Sequence, residues 1–253
     1  MASSYHATDG SRPRVRYWLC SRTDLDLRRT PLKSGRPLAN RVEIPFGVED
    51  GFFESLATKS FQRGTLNKGG VSVGIFHTHT QADITTSATN ARRIQMIELG
   101  VAIQQYRQAN PTHPVIVIGD LNVIAGSNEY MNTMRAVLGS GAAYGFPFPP
   151  IDGPELKDAG KSLACAAEGQ ACTSCASNEL RQYFNPTDTV SKRLDYALYQ
   201  DSLDGTVRIT PTAYERLELE VPSNAPALSQ DGYITRAISD HYGVQVDFQI
   251  TRE

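Results

Sequence analysis

The sequence has no run approaching the roughly 20 consecutive apolar residues that a bilayer-spanning helix needs. Met1 to Pro13 is polar where a secretory signal would carry an apolar core. Read as it stands, the chain is placed in the cytosol; an amino-terminal signal lost with a missing part would make it secreted. An excess of positive charge is also missing. With 25 Lys and Arg against 27 Asp and Glu and a pI near 6.2, the chain lacks the broad electropositive surface of a dedicated duplex-binding protein, so nucleic acid is the less favoured partner. Cysteine is scarce, four in 253 residues, which excludes a disulfide-dense scaffold. Cys20 stands alone, whereas Cys165, Cys172 and Cys175 cluster. The cluster reads as one disulfide in a surface loop or as reduced thiols, and a zinc site ranks below both because further His or Cys at finger-like spacing is absent. There is no internal repeat and no coiled-coil heptad.

What is present is a hydrophobic fraction of 40%, enough for one substantial core. Residues 1–14 are rich in Ser, Asp, Gly and Pro without periodicity and read as a disordered terminus; residues 15–253 read as a single domain. Short strands are predicted at Val15–Cys20 and Val42–Pro45, and a buried strand over Val71–His77 runs into the polar His77-Thr78-His79-Thr80-Gln81. Thr85 to Ser87 offer a helix cap. Ile94, Ile97 and Val101 form the apolar stripe of the helix that follows, with Arg92, Arg93, Gln104 and Gln105 facing water. After Pro111 and Pro114, the wholly β-branched Val115-Ile116-Val117-Ile118 suits a central strand buried on both faces. Ser127 caps a further helix to about Leu138, carrying Tyr130, Met134 and Val137 at helical spacing. A long irregular stretch follows to about Arg181, and strands resume at Leu194–Tyr199, Val207–Thr210, Leu217–Val221 and Val244–Ile250. In the last of these, Val244, Val246, Phe248 and Ile250 alternate inward. Few helices among many strands predict a layered α/β sandwich of packed sheets with helices outside.

Three polar clusters stand beside predicted strands: His79, then Asp120 with Asn122, then Asp240 with His241. A strand end holds a side chain rigidly while leaving it open to substrate, so chemistry is sought there. Each cluster alone has a plain structural reading: an ordinary histidine, an Asx turn in Gly119-Asp120-Leu121-Asn122, a turn leading into the final strand.

Taken in order, Thr78-His79, Gly119-Asp120-Leu121-Asn122, Arg193-Leu194-Asp195-Tyr196 and Ser239-Asp240-His241-Tyr242 resemble the ordered signatures of the endonuclease/exonuclease/phosphatase superfamily. Within it, Thr78-His79-Thr80-Gln81-Ala82 with Ala91-Arg92-Arg93-x-Gln95, and Glu54-Ser55-Leu56-Ala57-Thr58-Lys59 upstream, are most similar to neutral sphingomyelinases. The segment Thr173 to Leu180 resembles the Thr-x-Asp…Asn-x-Leu pattern of that branch, with Thr173 and Asn178 matched and Cys175 at the aspartate's place, so the acid role is not transferred.

The resemblance implies a layered α/β sandwich of two mixed sheets flanked by helices, and a Mg²⁺- or Mn²⁺-dependent hydrolysis of phosphodiesters. Such esters resist attack because nucleophile and phosphate are both electron-rich, so a cation, a base and phosphoryl donors are required. His241 is implied as the base, with Asp240 holding its tautomer and touching metal. His79 would donate to the phosphate or leaving oxygen. Asp120 would position the nucleophile or bind metal, Asn122 would orient the phosphate or complete the metal shell, Asn178 would bind substrate, and Asp195 would orient a neighbouring histidine. The implied substrate is a phospholipid head group, with a nuclease or phosphoinositide phosphatase as the second reading and a catalytically impaired binding module as the third. Peripheral membrane contact is compatible with this, although no long aromatic-tipped hairpin is read between Leu198 and Ile238. An early strand ending in Asn and a Gln-Glu motif, expected ahead of Tyr17, are not found; Glu43, Glu49 and Glu54 follow that point and are the wrong glutamates. The expectation is therefore a domain short of its first strand or strands, with uncovered sheet edges, poor solubility or dependence on another chain, and an open oligomeric state.

Overall fold

The computed structural model describes residues 14–19, 38–48, 59–134, 156–163, 172–221, 223–230 and 233–253. The expectations for residues 1–13, Cys20, Glu49, Glu54, Val137 and Cys165 lie outside them.

Strands β1 (Arg14–Leu19), β2 (Ala39–Pro45), β3 (Ser60–Lys68) and β4 (Val71–His79) come first, followed by helix α1 (Thr86–Ala109) and strand β5 (Val115–Asp120). A π-helical turn over Tyr130–Met134, strand β6 (Lys157–Asp158), and helices α2 (Ala159–Ser162) and α3 (Glu179–Phe184) come next. The chain then runs through β7 (Asp195–Gln200), β8 (Val207–Leu217), β9 (Leu228–Gln230), β10 (Tyr233–Thr235) and β11 (Gly243–Arg252).

Six strands form a mixed sheet in the order β2-β3-β4-β5-β7-β6, and β1-β11-β8 form an antiparallel one. Within the mixed sheet β4 and β5 are parallel, because α1 carries the chain back across one face between them. Their side chains alternate between two cores. Phe76, Val115, Val117, Tyr196 and Leu198 pack on Met96, Leu99, Ile103 and Tyr106 of α1. Val73, Ile75, Ile116, Ile118, Ala197 and Tyr199 face the other way, onto Val207, Ile209, Val244, Val246, Phe248 and Ile250 of the second sheet. The expected layered sandwich follows from this double burial: β5 is buried at every position and can lie only in the middle.

Thr85 caps α1 by accepting from the Ala88 N–H at 3.1 Å, as its position predicts. Of the expected stripe, Ile97 is buried and Val101 packs against the core, but the inward face is wider and rotated. Ile94 is 36% exposed and Met96, Leu99, Ile103 and Tyr106 point inward, since two adjacent stripes share the helical period and only the packing partner selects between them. Arg92, expected in water, is 2% exposed. It reaches both carboxylate oxygens of Glu129 (2.8 and 3.1 Å) and the Gln81 and Asp83 carbonyls, tying the loop after β4 to the loop after β5.

Other differences have local causes. Strand β3 went unread because its buried positions, on both faces, include Gln62, Thr65 and Lys68. The strand expected at 207–210 runs on to Leu217, and the one expected at 217–221 is absent, with only an isolated bridge at Glu220; Pro211 interrupts the sequence pattern, yet a bulge opposite Asp247/Phe248 accommodates its missing N–H. The helix expected from Ser127 appears as the π-helical turn, with the Ser127 hydroxyl accepting from the Tyr130 N–H at 3.1 Å. Between Leu198 and Ile238, where no long aromatic-tipped hairpin was read, β9 and β10 pair as short antiparallel strands, and the Tyr233 ring stacks on Tyr183 at 4.6 Å.

Gly74 lets α1 approach the sheet. A Cβ there would lie 2.3 Å from the Tyr106 ring, whose hydroxyl is held by Thr65 and His113 at 3.1 and 2.9 Å and so cannot swing aside. Gly74→Ala is expected to lower stability by about 1–3 kcal/mol through overpacking, read as a lower urea midpoint at unchanged m-value; an unshifted midpoint would show that α1 has room to retreat.

Candidate functional site

The register of the mixed sheet assembles the site. His79 pairs with Asp120 across β4 and β5, and Asp120 pairs with Asp195 across β5 and β7, so three polar residues form one row over three neighbouring strands. Because strand side chains alternate, this row shares its face with Ile118 and Ala197 and points into the layer between the two sheets, at its end. The second sheet supplies the fourth group: the turn immediately before β11 carries His241 into the same place.

His241 Nδ1–H donates to Asp195 Oδ2 at 2.8 Å and lies 3.6 Å from Asp120 Oδ2, while His79 Nε2 lies 3.5 Å from Asp120 Oδ2. The side chains of His79, Asp120, Asp195 and His241 are 14%, 5%, 1% and 10% exposed. Ligand atoms of Asp120, Asp195 and His241 lie within 4.8 Å of one another, a spacing that can hold a cation.

The loop after β5 is shaped for this. A Cβ at Gly119 would sit 2.0 Å from the Thr78 carbonyl oxygen, so only glycine allows β4 and β5 to close beside the row. Asn122 occupies the left-handed region at φ 49° and its N–H donates to Asp120 Oδ1 at 2.9 Å, so the Asx turn read from the sequence is present and also orients the carboxylate. Asn122 Nδ2 donates to the Thr80 carbonyl at 3.0 Å, and Thr80 reaches back to the Leu121 carbonyl at 2.7 Å.

Two expectations are corrected. The carboxylate hydrogen-bonded to His241 Nδ1 is Asp195, not Asp240: residues adjacent in sequence diverge at a turn, whereas β7 delivers Asp195 to the ring. Asp240 is half-buried, acts on His241 as a nearby charge, and is not in the group whose ligand atoms converge. Asn178, expected at the substrate, caps α3 by accepting from the Arg181 N–H and donates from Nδ2 to the Ser239 carbonyl, both at 3.0 Å. Its amide thus supports the His241 turn. Glu43 is exposed and accepts from the Ser60 hydroxyl at 2.8 Å, as befits a glutamate outside the site. Sequence reasoning gave Lys59 no role. It is 1% exposed, and its charge acts on both His79 and Asp120; its signal was its place at the end of the sphingomyelinase-like Glu54–Lys59 segment, just before a strand that was itself unread.

The electrostatics follow from crowding two carboxylates in a dry row. Burial, then the charge of Asp195, pushes the Asp120 carboxyl up to about 7, against the pull of His241, the Asn122 N–H and Lys59. Burial opposes charge on His241, but the Asp195 and Asp120 carboxylates outweigh it and raise the imidazole to about 10. His79 is held well below 6.5 by burial and by Lys59, His241 and His77, so its ring is neutral. Asp195 Oδ1 is buried with no hydrogen-bond partner among the described residues. One imidazolium therefore faces two carboxylates, and an acceptor remains open.

A helix-flanked pair of packed sheets with carboxylate, amide and imidazole groups gathered at one end of the interlayer defines the class: an α/β sandwich of the phosphoesterase type. Residues 23–241 match the Endonuclease/Exonuclease/phosphatase family, and the chain belongs to that family. It is 23% identical over 212 residues to Sphingomyelinase C 1 of Leptospira interrogans, a match covering 82% of this chain and 30% of that protein. Beta toxin from Staphylococcus aureus shares the fold at TM-score 0.60 and 21% identity, covering 84% of this chain and 65% of the toxin. A further beta toxin structure holds magnesium ions. D. rerio TDP2 complexed with a single-strand DNA product shares the fold at TM-score 0.55 and 17% identity, covering 83% of this chain and 67% of that one.

In metal-free protein the His241 imidazolium is expected to persist well above pH 6.5. Its raised value contributes stability that is complete below about pH 6.5, the unfolded reference, and is lost as pH rises through about 10. Histidine NMR titration in chelator, with thermal unfolding across the same range, checks this. Asp195→Asn should lower the His241 value and flatten that pH dependence, and titration near 6.5 in both proteins would refute the pairing.

Proposed function

We propose that the protein hydrolyses phosphodiesters with a divalent cation, Mg²⁺ or Mn²⁺, and that its substrate is a phospholipid head-group ester of the sphingomyelin type. The single observation that carries this reading is the row of His79, Asp120 and Asp195 closed by His241 at one end of the interlayer. The unpartnered Asp195 Oδ1 and the strained charge of Asp120 fit a cation, because a hard ion with oxygen ligands relieves both. Asp120 and the Asn122 amide oxygen would hold it, with Asp195 alongside. When bound it neutralises charge developing on the phosphoryl oxygens.

The chain's own residues supply the rest. With the carboxylate charges that keep it protonated offset by a bound cation, His241 would be neutral and would take a proton from water as the water oxygen bonds to phosphorus. Asp195 stabilises the imidazolium that results. Neutral His79 donates a hydrogen bond to a phosphoryl oxygen or to the leaving oxygen as the ester bond breaks. His241 then returns its proton to the alcohol or to bulk water.

The sphingomyelinase relative and the Thr78 to Gln95 resemblance favour the lipid substrate, and the net charge of -2 weighs against nucleic acid. No described helix is long and apolar enough to cross a membrane. Ile234, 70% exposed on β10, gives peripheral contact with a lipid surface a place to form.

Sphingomyelin vesicles with Mg²⁺ are expected to release phosphocholine, and His241→Ala to cut the rate by about 10²–10⁴-fold. Undiminished release by the variant would reject the assigned base. Turnover confined to plasmid DNA or to phosphoinositide would move the substrate within the family, and no turnover on any of the three, with no Mg²⁺ or Mn²⁺ uptake by calorimetry, would establish an impaired binding module.

A further inference from the structure

Cys172 and Cys175 form a disulfide, and it lies in the core rather than in the surface loop its sequence suggested. The bridge closes a small loop around Thr173 and Ser174, and that loop holds both halves of the Asp195–His241 pair. On one side, the Thr173 hydroxyl oxygen accepts from the N–H groups of Leu194 and Asp195 at 3.0 and 3.1 Å, and Ser174 and Lys192 exchange backbone hydrogen bonds, fixing the start of β7. On the other side, the Thr173 carbonyl accepts from the Tyr242 N–H at 2.7 Å. The Cys175 carbonyl accepts from the Asn178 N–H at 3.0 Å, and Asn178 Nδ2 holds the Ser239 carbonyl. Asp195 and His241, 46 residues apart, are thus aligned through one disulfide-closed turn.

The surroundings of the sulfurs suit exchange. Arg216 Nη1 lies 3.4 Å from Cys172 Sγ and 3.5 Å from Cys175 Sγ, and its guanidinium covers the Tyr242 ring at 4.8 Å. A guanidinium so placed favours thiolate, the state in which a reduced pair leaves and re-forms a disulfide. Both cysteines are buried, but Cys175 runs directly into the Ala176–Ser177 turn, where Ser177 is exposed, so local opening of a few residues admits a reductant.

We propose that the Cys172–Cys175 disulfide is a reversible redox site, with a dithiol as its exchange partner, that sets the alignment of Asp195 with His241 and so the rate of the hydrolase. A thiolate of the dithiol attacks one sulfur and forms a mixed disulfide while the Cys172–Cys175 bond breaks. The dithiol's second thiolate then displaces the protein sulfur, so the dithiol departs as a disulfide, having given two electrons, and the protein takes up two protons as two thiols. Without the bridge, the Thr173–Ser174 turn loses its closure and the two backbones it joins lose their common anchor. The effect on rate rests on the hydrolase reading above; the effect on the His241 environment does not.

Dithiothreitol treatment of the native protein, with alkylation located by peptide mass, is expected to label Cys172 and Cys175 without denaturant. In the same samples the His241 ring resonance should shift and amide exchange at Tyr242 and Asn178 should quicken. With sphingomyelin vesicles and Mg²⁺, kcat should fall by about tenfold at nearly constant KM, the mark of a displaced catalytic pair, and oxidised glutathione should restore it. The Cys172→Ser/Cys175→Ser protein should sit at the reduced level and ignore dithiothreitol. Labelling only after unfolding, or confirmed reduction that leaves the His241 resonance and the exchange rates unmoved, would overturn the proposal. If oxidised protein turns over no phosphodiester, the functional reading fails, while the resonance and exchange still decide the coupling.

Discussion

Two carboxylates facing each other across β5 and β7 in a nearly dry layer are the constraint around which the site is organised. Like charges in low dielectric repel far more strongly than in water, so burial and the neighbouring Asp195 carboxylate push Asp120 up to about 7, and a positive partner is needed to favour its charged form. In the chain itself that partner is His241, raised to about 10 by the pair, with Lys59 adding a further positive charge nearby. A divalent cation is a better counter-charge than an imidazolium, and its arrival would free the histidine to accept a proton. Under the proposed reading, the same repulsion would favour uptake of a divalent cation.

Such an arrangement stays put only if the scaffold is stiff, and the sandwich supplies the stiffness. The mixed sheet is buried on both faces between α1 and the second sheet, so the His79–Asp120–Asp195 row cannot shift without sliding a close-packed strand. His241 is less directly held. It arrives from the other sheet on a turn, and its position depends on Val244, Val246 and Phe248 seating β11 and on the hydrogen bonds from Tyr242 and Asn178 to the disulfide-closed loop. The weakest mechanical link of the site thus coincides with its one covalent crosslink among the described residues.

Much of this was legible in the chain. A wholly β-branched run ending in Gly119-Asp120-Leu121-Asn122 announces a central strand with a polar end, and β5 is that strand. Alternation in Val244 to Ile250 named its buried residues, and Thr85 named its helix cap, since each of these signals lies within one element. The readings that failed involve a partner from elsewhere. Arg92 is drawn inward by Glu129 and by carbonyls of a neighbouring loop, β3 buries polar groups against a sheet partner, and β8 passes Pro211 through a bulge at Thr212, opposite Asp247 and Phe248 of β11.

The division for the site runs along the same line. Local sequence determined which chemistry was on offer, because His79, Asp120, Asn122 and His241 lie at strand ends where residue type and spacing are visible. Only tertiary structure decided that Asp195 rather than Asp240 supports the histidine, that Asn178 braces a turn, and that Cys172 and Cys175 close a loop beneath both. Hydrogen-bond partnership and burial are set by strand register and sheet packing, and these join segments 40 and more residues apart through distances that no local pattern encodes.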